Sequence, residues 1–174
     1  GDQNIPKHFL VPPPVLKSPL SEYLCNANIK SFAISETQKY GHVTYFWNGN
    51  KSGYIDKSLE TYIEIPSKNI PFEMQPEMQA ETITKKTIDS LKSNSFNFAR
   101  LNFPNGDMIG HTGNEKAIIE SVEITDACLG TLIEEVTTLN GITIVVADHG
   151  NADELFEIKK NTKVIKTAHS LNPV

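Results

Sequence analysis

Two aspartates and three histidines lie in three short segments of the sequence and together could bind metal ions: Asp107 and His111, Asp148 and His149, and His169. A mixture of carboxylate and imidazole groups suits Mn²⁺ or Zn²⁺ better than Mg²⁺ or Ca²⁺, which prefer shells of oxygen ligands. Five ligands are more than one tetrahedral site needs. Two neighbouring metal ions account for them better, and such a pair can stabilise both the attacking and the leaving oxygen in phosphoryl transfer.

Each segment also has an interpretation that involves no metal. Asp107 and His111 could form an i,i+4 hydrogen bond in a polar loop or single turn, which the three glycines of residues 105–113 favour. Asp148 could begin a turn by bonding its own backbone, with His149 in solvent. A lone histidine such as His169 is more often a satisfied structural residue than a ligand. The residues alone leave both interpretations open.

The pair Asp148-His149 follows an apolar run of β-branched residues. This run predicts a strand over residues 142–147 that is buried on both faces of a parallel sheet. Another strand is predicted over 97–103 and a long amphipathic helix over 114–139, so the three elements should form a right-handed βαβ unit. Both strands would then end at one edge of the sheet, where functional side chains converge, and Asp107 would lie close to Asp148-His149.

The other patterns are typical of an α/β protein. They predict helices over residues 18–26 and 76–92 and strands over residues 30–34, 42–47 and 61–65. Ser18 is expected to cap the first helix, with Pro19 at its first position. The turn residues Asn48-Gly49-Asn50 should end the alternating strand that precedes them.

The composition limits the classes of partner. A length of 174 residues predicts about one domain. The net charge is −5, and Arg100 is the only arginine among 16 cationic residues, so neither a nucleic acid nor an anionic membrane is an expected partner. No apolar stretch approaches the roughly 20 residues of a membrane helix. Cys25 and Cys128 are not spaced like metal ligands, and reduced thiols would fit a cytoplasmic protein.

Several motifs resemble the cofactor-independent (2,3-bisphosphoglycerate-independent) phosphoglycerate mutases in content, order and spacing. These motifs occupy residues 34–49, 75–78, 105–113, 147–152 and 169–174. The resemblance runs from about residue 10 to the last residue. Within it, the segment Trp47–Tyr54 is similar to the form found in plants, nematodes and some protists.

The resemblance implies a fold and a domain organisation. Family members have an alkaline-phosphatase-like, three-layer α/β domain with a mainly parallel sheet, and a phosphotransferase domain is inserted into it. Residues 1–17 would be the linker that returns from the insertion, and residues 18–174 would be an incomplete part of the metal-binding domain. Family members are monomers, so a monomer is expected.

The resemblance also implies roles for individual residues. Asp107, His111 and His169 would bind one metal ion, and Asp148-His149 would contribute to a second. Mn²⁺ is the expected metal, with Mg²⁺, Co²⁺ and Zn²⁺ as alternatives. Lys39 would neutralise the phosphoryl group during transfer; its other interpretation is a solvated loop lysine.

The implied reaction interconverts 3-phosphoglycerate and 2-phosphoglycerate, a step of glycolysis and gluconeogenesis, through a phosphoserine intermediate. The nucleophilic serine, another aspartate for the second metal and the substrate-binding arginines belong to segments that nothing here matches. We therefore expect the chain to act with the remainder of its own polypeptide and to be inactive alone. The alternatives are a metal-dependent phosphohydrolase of the same superfamily and a non-catalytic metal-binding module.

Overall fold

The computed structural model describes residues 10–11, 16–93 and 95–174. The linker predicted over residues 1–17 falls almost entirely outside these residues, so it stays a prediction. The described residues form an α/β structure around a parallel three-stranded sheet and a separate two-stranded hairpin. The prediction of an α/β fold with a mainly parallel sheet is confirmed.

Each strand of the parallel sheet is followed along the chain by a helix or a helical turn, and the last two elements are consecutive strands. In order the elements are α1 (Leu20–Asn26), β1 (Ser31–Glu36), α2 (Thr37–Gly41), a π-helical turn (His42–Phe46), β2 (Glu60–Ile65), a 3₁₀ turn (Phe72–Met74), α3 (Ala80–Lys92), β3 (Phe98–Asn102), α4 (Asn105–Gly110), α5 (Glu115–Thr138), β4 (Phe156–Lys159) and β5 (Thr162–Ile165).

The central strand of the sheet is β1, and the order is β2-β1-β3. Ser31 of β1 lies opposite Glu60 of β2 and Phe98 of β3, and both neighbours run parallel to it. All six residues of β1 are buried, because the strand has a neighbour on each side and a covered surface on both faces. The helices α2 and α4 follow directly after β1 and β3 at one edge of the sheet.

Two apolar clusters hold these elements together. In the first, Phe32 and Ile34 of β1 pack with Ile65 of β2 and Ile83 of α3, and the ring of Phe96 meets Phe32 edge-on at 5.0 Å between centroids. The second cluster joins α4 to α5 and consists of Met78, Ile109, Ala117 and Ile118. The second cluster therefore fixes the helix that follows β3.

The predicted helices are present with small shifts at their first residues. The long helix α5 is close to its predicted range, and the side chain of Asn114 caps it by accepting from the Ala117 amide at 3.1 Å. Pro19, not Ser18, is the N-cap residue of α1. The helix α3 begins four residues later than predicted, after a turn that starts at Pro76. None of the described helices combines the length and apolar character needed to cross a membrane.

The strand predicted over residues 42–47 is wrong, because the chain continues from α2 into a π-helical turn. The hydroxyl of Thr44 donates to the carbonyl oxygen of Tyr40 at 2.7 Å, as in a continuing helix. The β-forming side chains that suggested a strand instead divide between a buried side with Val43 and an exposed side with Tyr45. The turn predicted at residues 48–50 is confirmed, with a positive φ at Gly49 and Asn50.

The only arginine in the chain braces this turn from inside the protein. Arg100 of β3 is buried, and its Nε donates to the carbonyl oxygen of Val43 at 2.7 Å. Its Nη2 lies 3.6 Å from Glu60 Oε1, and the guanidinium carbon lies 5.4 Å from the ring centres of Trp47 and Tyr62. The turn after α2 is thus fixed to both β2 and β3.

The strand predicted over residues 142–147 is also wrong. This run forms no ladder with any described strand, and it is exposed rather than buried: Ile142 is 91% exposed, Ile144 84% and Val146 81%. An apolar run is buried only where another element covers it, and no described element covers this one. The βαβ unit therefore has its first strand and its helix but lacks the second strand.

The hairpin formed by β4 and β5 was not predicted from the sequence. Phe156 pairs with Ile165 and Lys159 with Thr162 in antiparallel register. The two-residue connection Lys160-Asn161 has φ values of 49° and 63°, as hairpin turns of the primed type require. The available signals were the alternation of apolar and polar residues over Phe156–Lys159 and the β-branched residues of Thr162–Ile165.

A matched pair of substitutions tests this distribution of burial. Ile34→Ala removes a fully buried side chain and should lower the free energy of unfolding by about 2–5 kcal/mol. Ile144→Ala changes an exposed side chain and should alter it by less than about 0.5 kcal/mol. Urea unfolding followed by circular dichroism measures both. An equal loss in the two variants would mean that residues 142–146 are buried.

Candidate metal centre

The candidate residues meet at the carboxylate of Asp107. Its Oδ1 lies 3.0 Å from His169 Nε2, 3.1 Å from His111 Nε2 and 3.9 Å from His149 Nε2. Three imidazole nitrogens from three parts of the chain therefore face one carboxylate oxygen.

The position of His111 follows from the helix that carries Asp107. Asp107 lies in the first turn of α4, and His111 is the residue that ends this helix, so their i,i+4 spacing places both side chains on one side. The Nδ1 of His111 donates to the carbonyl oxygen of Thr167 at 2.6 Å. Since a carbonyl can only accept, the proton of a neutral imidazole is on Nδ1 and the lone pair of Nε2 points at Asp107.

His169 is held in place by the residue that follows it. The amide of Ser170 donates to the carbonyl oxygen of Gly150 at 2.9 Å, and its hydroxyl donates to Asp153 Oδ2 at 2.8 Å. A Cβ atom on Gly150 would overlap the Ser170 hydroxyl and lie 2.6 Å from Asp153 Oδ1, so a side chain at this position would displace the contact between Ser170 and Asp153. The bridge brings the rings of His149 and His169 into a stack with centroids 3.7 Å apart.

Lys39 contacts the other oxygen of the same carboxylate. It lies in α2, directly after β1, and is only 5% exposed, so it is not a solvated loop lysine. Its Nζ lies 2.7 Å from Asp107 Oδ2 and 3.8 Å from Asp148 Oδ2. The ammonium group thus lies between the two aspartates predicted as metal ligands.

The surroundings of Asp107 keep its carboxyl group ionised. Burial alone would raise the pKa of Asp107, but the hydrogen bonds from Lys39 and Asn151, together with the charge of Lys39, outweigh burial and lower the pKa to about 2. The group is therefore a carboxylate at neutral pH, the form in which an aspartate binds a metal ion.

Two further titratable groups flank Lys39. Glu36, at the end of β1, is buried, and burial raises its pKa; its Oε2 accepts from the Gln79 amide at 3.1 Å and so ties β1 to the start of α3. The pKa of His42 is lowered by burial and by the charge of Lys39, against the opposing charges of the aspartates. Glu36 thus has a structural contact, and no contact of His42 assigns it a role.

The five predicted ligands fall into a close trio and an outer pair. Asp107, His111 and His169 can each offer one ligand atom, and these atoms lie within 4.8 Å of one another. Asp148 lies farther out, with its Oδ2 3.6 Å from His149 Nε2. The trio fits a cation well, because a carboxylate oxygen and the His111 lone pair converge on one region with the His169 Nε2. Metal binding by either group stays a prediction.

Two other residues of the centre were assigned no role from the sequence. Asn151 donates to Asp107, and Asp153 binds the residue after His169. Both lie in the turn that follows His149, and both contacts join segments far apart in the chain. The available signal was the presence of Asn151 in the recognised motif of residues 147–152.

The fold and the centre define the class of protein. The chain belongs to the Metalloenzyme superfamily, whose family model matches residues 5–174. Carboxylate and imidazole groups gathered at the edge of a parallel sheet are the arrangement expected of such a protein.

Within this class the chain is similar to proteins named 2,3-bisphosphoglycerate-independent phosphoglycerate mutase. It is 48% identical to a probable mutase of Leptospira interrogans, 45% to the mutase of Trypanosoma brucei brucei and 42% to a probable mutase of Arabidopsis thaliana. Each alignment covers 100% of this chain but 33% of the relative. The resemblance stated from the motifs is confirmed, and the chain spans about a third of the length of these relatives.

A solved structure agrees with this assignment. The phosphoglycerate mutase of Leishmania mexicana, crystallised at low cobalt concentration, matches with a TM-score of 0.93 and 48% identity. The match covers 97% of this chain and 32% of that one.

The lowered pKa of Asp107 predicts an acid-dependent loss of stability in the metal-free chain. Protons bind the unfolded chain first, near the ordinary pKa of 3.8, and the folded chain only near pH 2. The contribution of Asp107 to the free energy of unfolding is thus full above about pH 4 and declines as the pH falls towards 2. The free energy of unfolding can be measured by urea unfolding in a chelator at several pH values. We expect it to depend less on pH in Asp107→Asn than in the native chain. Parallel curves would contradict the lowered pKa.

Proposed function

We propose that the whole protein is a 2,3-bisphosphoglycerate-independent phosphoglycerate mutase, an isomerase that interconverts 3-phosphoglycerate and 2-phosphoglycerate. This chain would supply Lys39 and five metal ligands. The observation that carries the proposal is the convergence of Lys39 and three histidines on the carboxylate of Asp107. The names of relatives that share this whole chain support it.

We also propose that the centre binds two divalent metal ions. Asp107, His111 and His169 would hold one ion, and Asp148-His149 would contribute to the other. Mn²⁺ is the first candidate, with Mg²⁺, Co²⁺ and Zn²⁺ as alternatives, because the donors mix carboxylate with imidazole. The superfamily and the cobalt conditions of the Leishmania mexicana structure support divalent ions in general. When bound, such ions supply charge stabilisation to phosphoryl oxygens.

Lys39 has the properties needed to stabilise a phosphoryl group in transfer. Its ammonium is buried, so its charge acts through a medium that screens it less than water does. It is also held in place by Asp107 and needs no reorganisation when a negative charge develops beside it. Because lysine acts as a point charge, the fixed ammonium can stabilise a phosphoryl group in more than one orientation without a fixed bonding pattern.

The remainder of the polypeptide is the proposed partner of this chain. It would bring the nucleophilic serine, another metal-binding aspartate and the substrate-binding arginines. The exposed side chains Ile144 and Val146, together with Ile119 and Val122 of α5, offer apolar surface for it to cover. The whole protein would be a cytoplasmic monomer that binds neither nucleic acid nor membrane.

Metal titration of the chain tests the ligand assignment. His111→Ala and Asp148→Ala should each weaken Mn²⁺ binding by more than about tenfold, because even changes to residues behind the ligands have effects of this size. His42→Ala and the exposed Asp126→Ala are the matched controls and should bind as the native chain does. Isothermal titration calorimetry gives affinity and stoichiometry. If neither ligand substitution lowers binding, the assignment is wrong.

Activity assays test the reaction itself. The full-length protein should isomerise 3-phosphoglycerate, and the 174-residue chain alone should not. In the full-length protein, Lys39→Met should lower kcat by about 10²–10³-fold, as the loss of one fixed charge-stabilising group does, and the exposed Lys86→Met should not.

A generic phosphate ester, such as p-nitrophenyl phosphate, separates the mutase from the phosphohydrolase. Hydrolysis of the ester by the full-length protein without isomerisation of 3-phosphoglycerate would favour the phosphohydrolase. Robust mutase activity from the 174-residue chain would contradict the view that the nucleophile lies elsewhere.

A further inference from the structure

The side chain of Asn151 reaches back from the turn after His149 to Asp107. Asn151 is buried, and its Nδ2 donates to Asp107 Oδ1 at 3.0 Å and to the main-chain oxygen of Asp107 at 3.2 Å. One amide nitrogen therefore bridges the side chain and the main chain of the same aspartate. This bridge fixes the direction of the carboxylate relative to the helix α4.

Asn151 can occupy this place because residue 110 is a glycine. A Cβ atom on Gly110 would lie 2.7 Å from Asn151 Cγ and closer still to its Oδ1. The other glycine of α4, Gly106, is less crowded than Gly110. A Cβ atom added to Gly106 would lie 4.0 Å from the Cβ of Ala152, which is an ordinary contact distance. The close fit is thus specific to Gly110.

The carboxamide of Asn151 is not explained by packing alone. Its Oδ1 is buried and has no hydrogen-bond partner among the described residues, which is unfavourable. A leucine of similar shape would fill the same space without burying an unpaired oxygen. The donation from Nδ2 to Asp107 is the property that leucine would lack.

The turn that carries Asn151 is braced on its other side. Asp153 accepts from the Ser170 hydroxyl at 2.8 Å and from Asn172 Nδ2 at 2.7 Å. Because the turn is anchored to the segment of His169, Asn151 can hold Asp107 in place rather than move with it. One turn thus connects ligands from separate segments of the chain.

We propose that Asn151 is a positioning residue of the metal centre and that Gly110 provides the space it needs. Lys39 binds Oδ2 of Asp107, and Asn151 holds Oδ1 towards His111 and His169. Without Asn151 the carboxylate is free to turn both oxygens towards Lys39, and the ligand trio loses its geometry. This inference rests on the proposed metal site and adds a residue behind its ligands.

Asn151→Leu tests the role of the donated hydrogen bond. Mn²⁺ affinity, measured by calorimetric titration, should fall about 10–100-fold. The urea midpoint of the metal-free chain should stay the same or rise, whereas a merely structural residue would lower it. If the native chain binds no Mn²⁺, the proposed metal site fails. If the native chain and Asn151→Leu bind Mn²⁺ equally, only the role of Asn151 is overturned.

Substitutions at the two glycines of α4 provide an independent test. Gly110→Ala should weaken Mn²⁺ binding by a similar factor because it displaces the carboxamide, and the control Gly106→Ala should bind Mn²⁺ as the native chain does. In an Asn151→Ala background, Gly110→Ala should have no further effect, since the carboxamide is already absent. The proposal would be overturned if Gly110→Ala lowered Mn²⁺ affinity equally in the native chain and in Asn151→Ala, or lowered it in neither.

Discussion

The ion pair between Lys39 and Asp107 is the interaction on which the centre depends, because neither charge could be buried here without the other. Lys39 comes from α2 and Asp107 from α4, so the pair also joins the two helices that follow neighbouring strands. With one carboxylate oxygen bound to the ammonium, the other faces His111 and His169. Asp148 Oδ2 lies 3.8 Å from the same ammonium, so two carboxylates face one lysine. A further cation would balance the remaining negative charge.

Parallel pairing explains how these residues meet. The strands β1 and β3 are direct neighbours in one direction, so their carboxyl ends carry α2 and α4 to the same edge of the sheet. This much could be predicted from sequence, because β-branched runs, helical periodicity and the position of polar residues after a strand are local patterns. The predicted ranges of β1, β2, β3 and α5 were therefore close to those observed. The aspartates and histidines that follow predicted strands could also be named as candidate metal ligands.

The errors arose where contacts between distant segments determine the structure. Residues 42–47 have strong β preferences, yet the helix continues through them because Arg100 and the bond from Thr44 support a turn. Residues 142–147 have the pattern of a buried strand, but burial requires a neighbour that no described element supplies. The contact of Asn151 with Asp107 depends on a glycine on another helix, and no local pattern reports such a fit.

The buried position of Arg100 has a consequence for recognition of anions. Its guanidinium is turned inward, between two aromatic rings and Glu60, so the chain presents no planar, two-pronged donor at the centre. Among the residues that the structure describes, Lys39 supplies the ammonium that an anion meets beside Asp107, and this ammonium attracts charge but does not distinguish the orientation of the oxygens around it. On this surface, electrostatic attraction and the selection of molecular shape are therefore separate tasks, and the cationic side chains of the described residues supply only the first.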